Sequence, residues 1–413
     1  MSGQRARLWV LGALACSVLA ACSGTLDSIG GAPNGSDASR TPAPLSGPAT
    51  YPNAFKDLLG KSDAEITNKL NAAFTQLFHG DPDTQAIYFP IGTDRAYVQD
   101  FLHMDIRSEG SGVGMIATVE LDKHDEFDRL WTYAKATLRQ TTGAGRGYFN
   151  SVCDEDTPCF DPYGMEQFVT ALLFAHDRWG SSAAYPYDSD ALALLDYMRN
   201  KETENGGVVS DVTSVFDPTT ALVREQPTLE TAGYTRSSLQ MPGAYELWAQ
   251  ASGDDFWARA ASAARGNLLA SSNASTGLWP MRNYFDGTAV SGSDTYRAQA
   301  YRTQLNLALD AAWGSASAAQ TVLADRVLGF FTSQGLDTYG TAYTLDGTSL
   351  DPNHEPGQVS ANGALAVAAT RANRIAFVSA VWAQAIPSGP TRYYDGILYL
   401  MSVLVLSGQY RVY

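Results

Sequence analysis

The sequence predicts an all-α fold of paired helices, closed into an α/α toroid or stacked as an open solenoid. Apolar residues recur at three- and four-residue spacing in about twelve segments of about 10 to 17 residues. Strand-like stretches are few and short, with Asp286-Gly287 and Asp346-Gly347 as turn signals between extended pieces. No fixed-period repeat and no second shift of composition divides residues 51–413, so one domain is expected there.

Taken in order, Ser62-Asp63 caps a run through Phe78 with Ile66, Leu70, Phe74 and Leu77 on one face. Residues 115–140 carry Ile116, Val119, Phe127, Leu130, Trp131, Ala134 and Leu138, and read as two helices broken near Lys123-His124-Asp125. Further helices are expected at 165–179, 188–201, 242–252, 254–270, 299–313 and 318–333. The last three are expected at 360–369, 374–385 and 392–406. Trp131 and Trp179 lie on helical faces and are assigned to the core.

Composition narrows the function. The chain has 413 residues, 11% of them aromatic, which is enough for a sizeable core and rules out wholesale disorder. Its formal charge of −15 argues against a nucleic-acid or anionic-membrane surface. Tyr and Trp are plentiful, and flat aromatic faces suit sugar rings as well as a core.

The N-terminus reads as a targeting segment. Arg5 and Arg7 precede an apolar run over 8–21, too short for a stable membrane span. It closes in Leu19-Ala20-Ala21-Cys22, which resembles the bacterial lipobox. The expectation is an exported cell-envelope lipoprotein that touches the membrane only through a lipid on Cys22. Residues 22–50, rich in Gly, Ser, Pro, Ala and Thr, read as a flexible linker. Cys153 and Cys159 flank a polar turn and are expected to form a disulfide in an oxidising compartment. Five scattered His give no metal-ligand spacing, so no metal and no cofactor are expected. A monomer is expected.

Chemistry-bearing motifs are sparse. Gly110-Ser111-Gly112-Val113-Gly114 lacks the Lys-Ser/Thr and the preceding strand of a phosphate loop. No Gly-x-Ser-x-Gly elbow has credible partners. What remains is acidic residues in a Gly and aromatic context, above all Asp105-Ile106-Arg107-Ser108-Glu109-Gly110. Read from the residues alone, Glu109 is a carboxylate in the first turn of a helix.

A resemblance sharpens this reading. Residues 107–115, Arg-Ser-Glu-Gly-Ser-Gly-Val-Gly-Met, resemble the Glu-Gly-x-x-Tyr-Gly-Met signature of glycoside hydrolase family 8. The likeness continues through Phe127-Asp128-Arg129-Leu130-Trp131, Glu166-Gln167-Phe168, His176-Asp177-Arg178-Trp179-Gly180 and Ala300-Tyr301-Arg302. It runs on to Arg392-Tyr393-Tyr394-Asp395-Gly396 and the C-terminus. Tyr88-Phe89-Pro90 and Asn283-Tyr284-Phe285-Asp286-Gly287-Thr288 are most similar to the reducing-end xylose-releasing exo-oligoxylanases of that family. The resemblance implies a toroid of six α/α hairpins and inverting hydrolysis of β-1,4-linked oligosaccharides, xylo-oligosaccharides first. An inverting site sets a general acid and a carboxylate base roughly 6.5–9.5 Å apart, with a water between.

The resemblance makes Glu109 the general acid. It also expects an Asp before Ala-Tyr-Arg, where this chain has Gln299, and a second Asp where it has Tyr163. Gln takes no proton at neutral pH, so a substitute base is needed. Asp294 is the first candidate and Asp161 the second. The resemblance further places Tyr163, Gln299, Tyr301, Arg302, Arg392 and Tyr393 along the substrate, with Tyr394 beside them. Three functions follow: a hydrolase with a displaced base, a catalytically impaired relative that binds oligosaccharide at the cell surface, or a scaffold whose cleft is filled by bulky side chains.

Overall fold

The computed structural model describes residues 41–151, 159–314 and 317–413. The chain begins with α1 (Ala54–Leu59) and α2 (Asp63–His79), then β1 (Tyr88–Ile91), β2 (Arg95–Asp100) and β3 (Asp105–Ile106). Next come α3 (Ser108–Glu120), α4 (His124–Tyr133), α5 (Pro162–Trp179), α6 (Tyr187–Glu204) and strand β4 (Tyr234–Thr235). They are followed by α7 (Pro242–Ser252), α8 (Asp255–Ala270), β5 (Asn283–Tyr284) and β6 (Thr295–Tyr296). The remainder is α9 (Tyr301–Ala312), α10 (Ala318–Ser333), β7 (Ala342–Thr344), β8 (Ser349–Asp351), α11 (Pro356–Leu365), α12 (Arg374–Ala383) and α13 (Arg392–Leu406).

The odd-numbered helices from α3 to α13 form a closed inner ring. α3 packs on α5, α5 on α7, α7 on α9, α9 on α11, α11 on α13, and α13 returns to α3. A second layer covers them: α4 on α3, α6 on α5, α8 on α7, α10 against α9 and α11, α12 on α11, and α2 on α13. The choice left open by periodicity is thereby decided for the toroid of six helical hairpins. Inner helices are buried nearly all round because both sides are covered, and α9 and α11 bury polar side chains as well as apolar ones. In α13 every residue is buried except Tyr394.

Local chemistry fixes the helix starts. Ser62 and Glu65 form a capping box at α2, as do Ser317 and Gln320 at α10. Pro162, Pro242 and Pro356 begin α5, α7 and α11, at the position where a missing N–H costs nothing. Trp131 is fully buried, and its indole N–H donates to Asp190 Oδ2 at 2.8 Å. The same carboxylate pairs with buried Lys135 at 3.0 Å, so that ion pair is compensated. Trp179 is half-buried, stacked on His124 with centroids 4.3 Å apart.

Three small antiparallel sheets sit in the connections, ordered β1-β2-β3, β4-β5 and β6-β7-β8. In the first, Gln99 pairs with Ile106 and Asp100 with Asp105, so β3 delivers the chain directly into α3. The turn at Asp346-Gly347 joins β7 to β8, where the sequence put it.

Two expectations need correcting. The linker does not reach residue 50 as free chain: Ala43 N donates to Ala251 O at 3.0 Å, Leu45 N to Asp177 Oδ2 at 2.9 Å and Ser46 N to Gln250 Oε1 at 3.0 Å. Composition alone could not show that barrel acceptors would meet these backbone donors. The helix expected from residue 115 begins at Ser108, so the glycines at 110, 112 and 114 lie inside α3. Cys22 and Cys153 lie outside the described residues, and Cys159 is disulfide-bonded. Among the described residues no helix is long and apolar enough to cross a membrane.

Candidate active site

The site gathers at the N-terminal ends of inner helices. Glu109 is in the first turn of α3, its side chain 12% exposed. Arg302, in the first turn of α9, donates from Nη1 to Glu109 Oε2 at 2.8 Å. Tyr393, at the start of α13, offers its hydroxyl to Glu109 Oε1 at 3.4 Å. Segments 284 residues apart in sequence therefore meet on one carboxylate.

Burial and charge define the state of this cluster. Burial alone would weaken the Arg302 charge, but Glu109, Tyr394, Tyr163 and Asp161 together outweigh it and keep the guanidinium protonated. Burial, reinforced by the Glu109 charge, pushes the Tyr393 hydroxyl up, so it remains a donor. Tyr163 is also buried, with Arg302 over its ring 4.1 Å from the centroid. Its ring thus supports the arginine from beneath. Tyr394 holds the 298–300 turn in place through a hydroxyl bond to Ala298 O.

Asp161 adds a second carboxyl. It precedes α5, is 8% exposed, and accepts from Ser108 Oγ at 2.9 Å. Burial, then the charge of Glu109, pushes its pKa up. Gly164 is required here, because a Cβ would come within 2.7 Å of Asp161 Oδ2 and of Ser108. Asp294, by contrast, is exposed in the loop before β6, and none of the hydrogen bonds or ion pairs about Glu109 involves it. Gln299 is half-buried, and its Oε1 is buried without a hydrogen-bond partner.

Two residues expected along the substrate are used elsewhere. The Tyr301 hydroxyl donates to Thr341 O at 2.8 Å inside the core. Arg392 donates to Ala86 O at 2.9 Å, Gly389 O at 2.8 Å and Pro82 O at 3.1 Å. Three carbonyls across two chain segments occupy its fork, so it clamps the backbone and does not join the Glu109 cluster. Asp100, His103 and Asp105 bring possible metal-ligand atoms within 4.8 Å of one another. Arg107 already balances them, bonding Asp105 through two nitrogens at 2.9 and 2.8 Å and lying 3.5 Å from Asp100.

Sequence reading missed Arg236, Arg282 and buried Glu225. Both arginines bond Glu225 Oε1, Arg282 at 2.7 Å. No local pattern marks them, since the three residues come from separate connections.

Comparison with known proteins now decides the family. The profile of glycosyl hydrolases family 8 matches residues 98–408. The chain belongs to this family. It is 34% identical over 382 residues to the reducing-end xylose-releasing exo-oligoxylanase Rex8A of Paenibacillus barcinonensis, covering 88% of this chain and 97% of that protein. A second such exo-oligoxylanase, from Halalkalibacterium halodurans, is 31% identical over 88% of this chain and 94% of its own length. Among solved structures, a family 8 xylobiose complex from Teredinibacter turnerae superposes with a TM-score of 0.82 at 35% identity, covering 88% of this chain and 98% of that one. The six-hairpin toroid is the fold of the family.

Proposed function

We propose that the protein is an inverting hydrolase of β-1,4-linked xylo-oligosaccharides with Glu109 as general acid. The observation that carries this is the Glu109 cluster, a partly exposed carboxyl fixed by Arg302 and Tyr393 at the mouth of the helical ring. The names of the relatives, which release xylose from oligoxylans, support the substrate class. For the base we propose Asp294, the exposed carboxylate on the segment leading to Gln299. Asp161 is nearer to Glu109, but being buried and bonded to Ser108 it has little open surface for a water.

The experiment is hydrolysis of xylotetraose by the purified protein, followed by proton NMR. The expected outcome is release of xylose with the newly formed end first in the α configuration, and loss of turnover in Glu109→Gln. A first product in the β configuration, or unchanged turnover in that variant, overturns the mechanism. One observation favours a second reading, binding without turnover: Gln299, an amide, stands where the resemblance expects the base. Xylotetraose that binds and is never cleaved would select that reading.

We further propose a lipid anchor on Cys22, supported by the apolar run that ends in Leu19-Ala20-Ala21-Cys22. Cys22→Ser should move the protein to the soluble fraction or leave its precursor uncut. A variant that stays membrane-bound with normal processing refutes the anchor.

A further inference from the structure

The short ladder β4-β5 pairs Tyr234 with Tyr284 and Thr235 with Asn283. Arg236 and Arg282 are the next residues on the two chains, and Arg236 keeps an extended backbone (φ −130°, ψ 139°). Side chains two apart on a strand share a face, so two tyrosines and two arginines lie together on one side. Contacts bear this out. The tyrosine rings meet edge to face with centroids 5.2 Å apart, and both arginines converge on Glu225 Oε1.

The charges here do not balance. Arg236 and Arg282 share one carboxylate oxygen, and the other Glu225 oxygen is buried without a partner. The Arg282 side chain is 42% exposed, and its terminal nitrogens make no hydrogen bond among the described residues. The turn after Arg236, residues 237–239, packs on α9 and on the 298–300 turn that carries Gln299. Burial, with the charges of Arg282 and then Arg302, weakens the Arg236 guanidinium against the pull of Glu225. Two guanidiniums thus share the single carboxylate of Glu225, while Arg302 beside them is already met by Glu109 and lies near buried Asp161. Exposed Arg297 and Asp294 flank them without altering the sum.

We propose that this face is a subsite for a sugar carboxylate on the oligosaccharide. A neutral pentose offers a guanidinium only hydroxyl acceptors, whereas the carboxylate of a uronate matches both its charge and its planar fork. Tyr284, 41% exposed, and half-buried Tyr234 supply ring surface for the sugar that bears the acid. The inference rests on the proposed function and deepens it by naming the substituent.

The test is calorimetric binding to the Glu109→Gln protein, in which turnover is slowed so that the ligand survives the titration. The probes are xylotetraose, xylotetraose bearing one glucuronate branch, and xylotetraose oxidised to the aldonate at its reducing end. At least one acidic probe should bind about tenfold tighter than the neutral one, the effect of one charge-assisted hydrogen bond. Which acid is preferred tells a side-group carboxylate from a chain-end one. Arg282→Gln, at an exposed position that does not threaten folding, should bring the ratio toward one. So should salt at about 1 M, where screening acts within about 3 Å. Equal or weaker binding of both acids, or a preference that survives Arg282→Gln and Arg236→Gln, overturns this subsite alone. If no probe binds, the hydrolase reading falls and the subsite with it.

Discussion

Glu109 carries two donors, and this governs what single substitutions should do. Its replacement by Gln removes the transferable proton while keeping the shape that Arg302 and Tyr393 grip, so turnover on xylotetraose should drop by about 10²–10⁴. Asp294→Asn should cost as much if Asp294 activates the water. Asp161→Asn should cost less than about tenfold by the same measure, because burial and Glu109 already bias that carboxyl toward its neutral form. An Asp161→Asn loss as deep as that of Glu109→Gln, with Asp294→Asn silent, would transfer the base to Asp161. Gln299→Asp tests the position itself. A carboxylate there would lie near Arg302, with the 237–239 turn that follows Arg236 packed alongside, and turnover should rise. Glu109 was legible in the sequence because its neighbours form a contiguous motif. The Asp161–Ser108 bond was not, since it joins residues 53 apart and depends on how α3 meets α5.

Helix α3 shows at the scale of one element why part of the sequence misleads. Its periodicity was legible from Met115 onward, but the structure starts it at Ser108. The glycines at 110, 112 and 114 weaken helix propensity and carry no apolar period, so the sequence does not show how far the helix extends toward Ser108. Their purpose is close approach. A Cβ on Gly112 would lie 2.7 Å from Gln167 Cβ and 3.0 Å from Gly164 O, and one on Gly110 would lie 2.8 Å from the Tyr393 ring. Gly112→Ala should therefore destabilise the protein by about 1–3 kcal/mol of overpacking, less about 1 kcal/mol of helix propensity regained. It should also disturb the Glu109 cluster, because α3 and α5 must part. Gly266 is the control. It lies in α8 with nothing within 4 Å of a Cβ, so Gly266→Ala should stabilise by about 0.5–1 kcal/mol. Opposite shifts of melting temperature are expected, and shifts of the same sign would refute the close-packing account. The other helices were legible to within a few residues wherever the apolar spacing ran unbroken. Helix α1, with six residues, is too short to show a period.

Closure of the ring is a property of the whole molecule, and local periodicity carries no trace of it. It depends on α13 returning to α3, and the C-terminus fastens that return. Arg411 N and the Tyr413 hydroxyl donate to Glu120 Oε2 at 3.1 and 2.9 Å, at the far end of α3. Glu120 Oε1 has no partner, and burial pushes this carboxyl well above its ordinary value despite the two donors. Glu166 in α5 is alike: the Tyr245 hydroxyl meets Oε1, Oε2 is unpartnered, and burial again raises the pKa. Each group therefore keeps its proton to a higher pH in the folded chain than in the unfolded chain, which releases it above about pH 4.3. The folded state then binds more protons than the unfolded one, so these two groups make stability fall as pH rises from about 4.3 toward neutral. Each such group removes at most about 1.4 kcal/mol per pH unit. The formal charge of −15 acts in the same direction through self-repulsion. Calorimetric unfolding of the wild type, Glu120→Gln and Glu166→Gln across that range separates the two causes. The variants should lose part of the slope and approach the wild type at low pH, where its carboxyls are neutral in both states. General repulsion would instead leave three nearly parallel curves, and that result would remove the buried acids from the explanation.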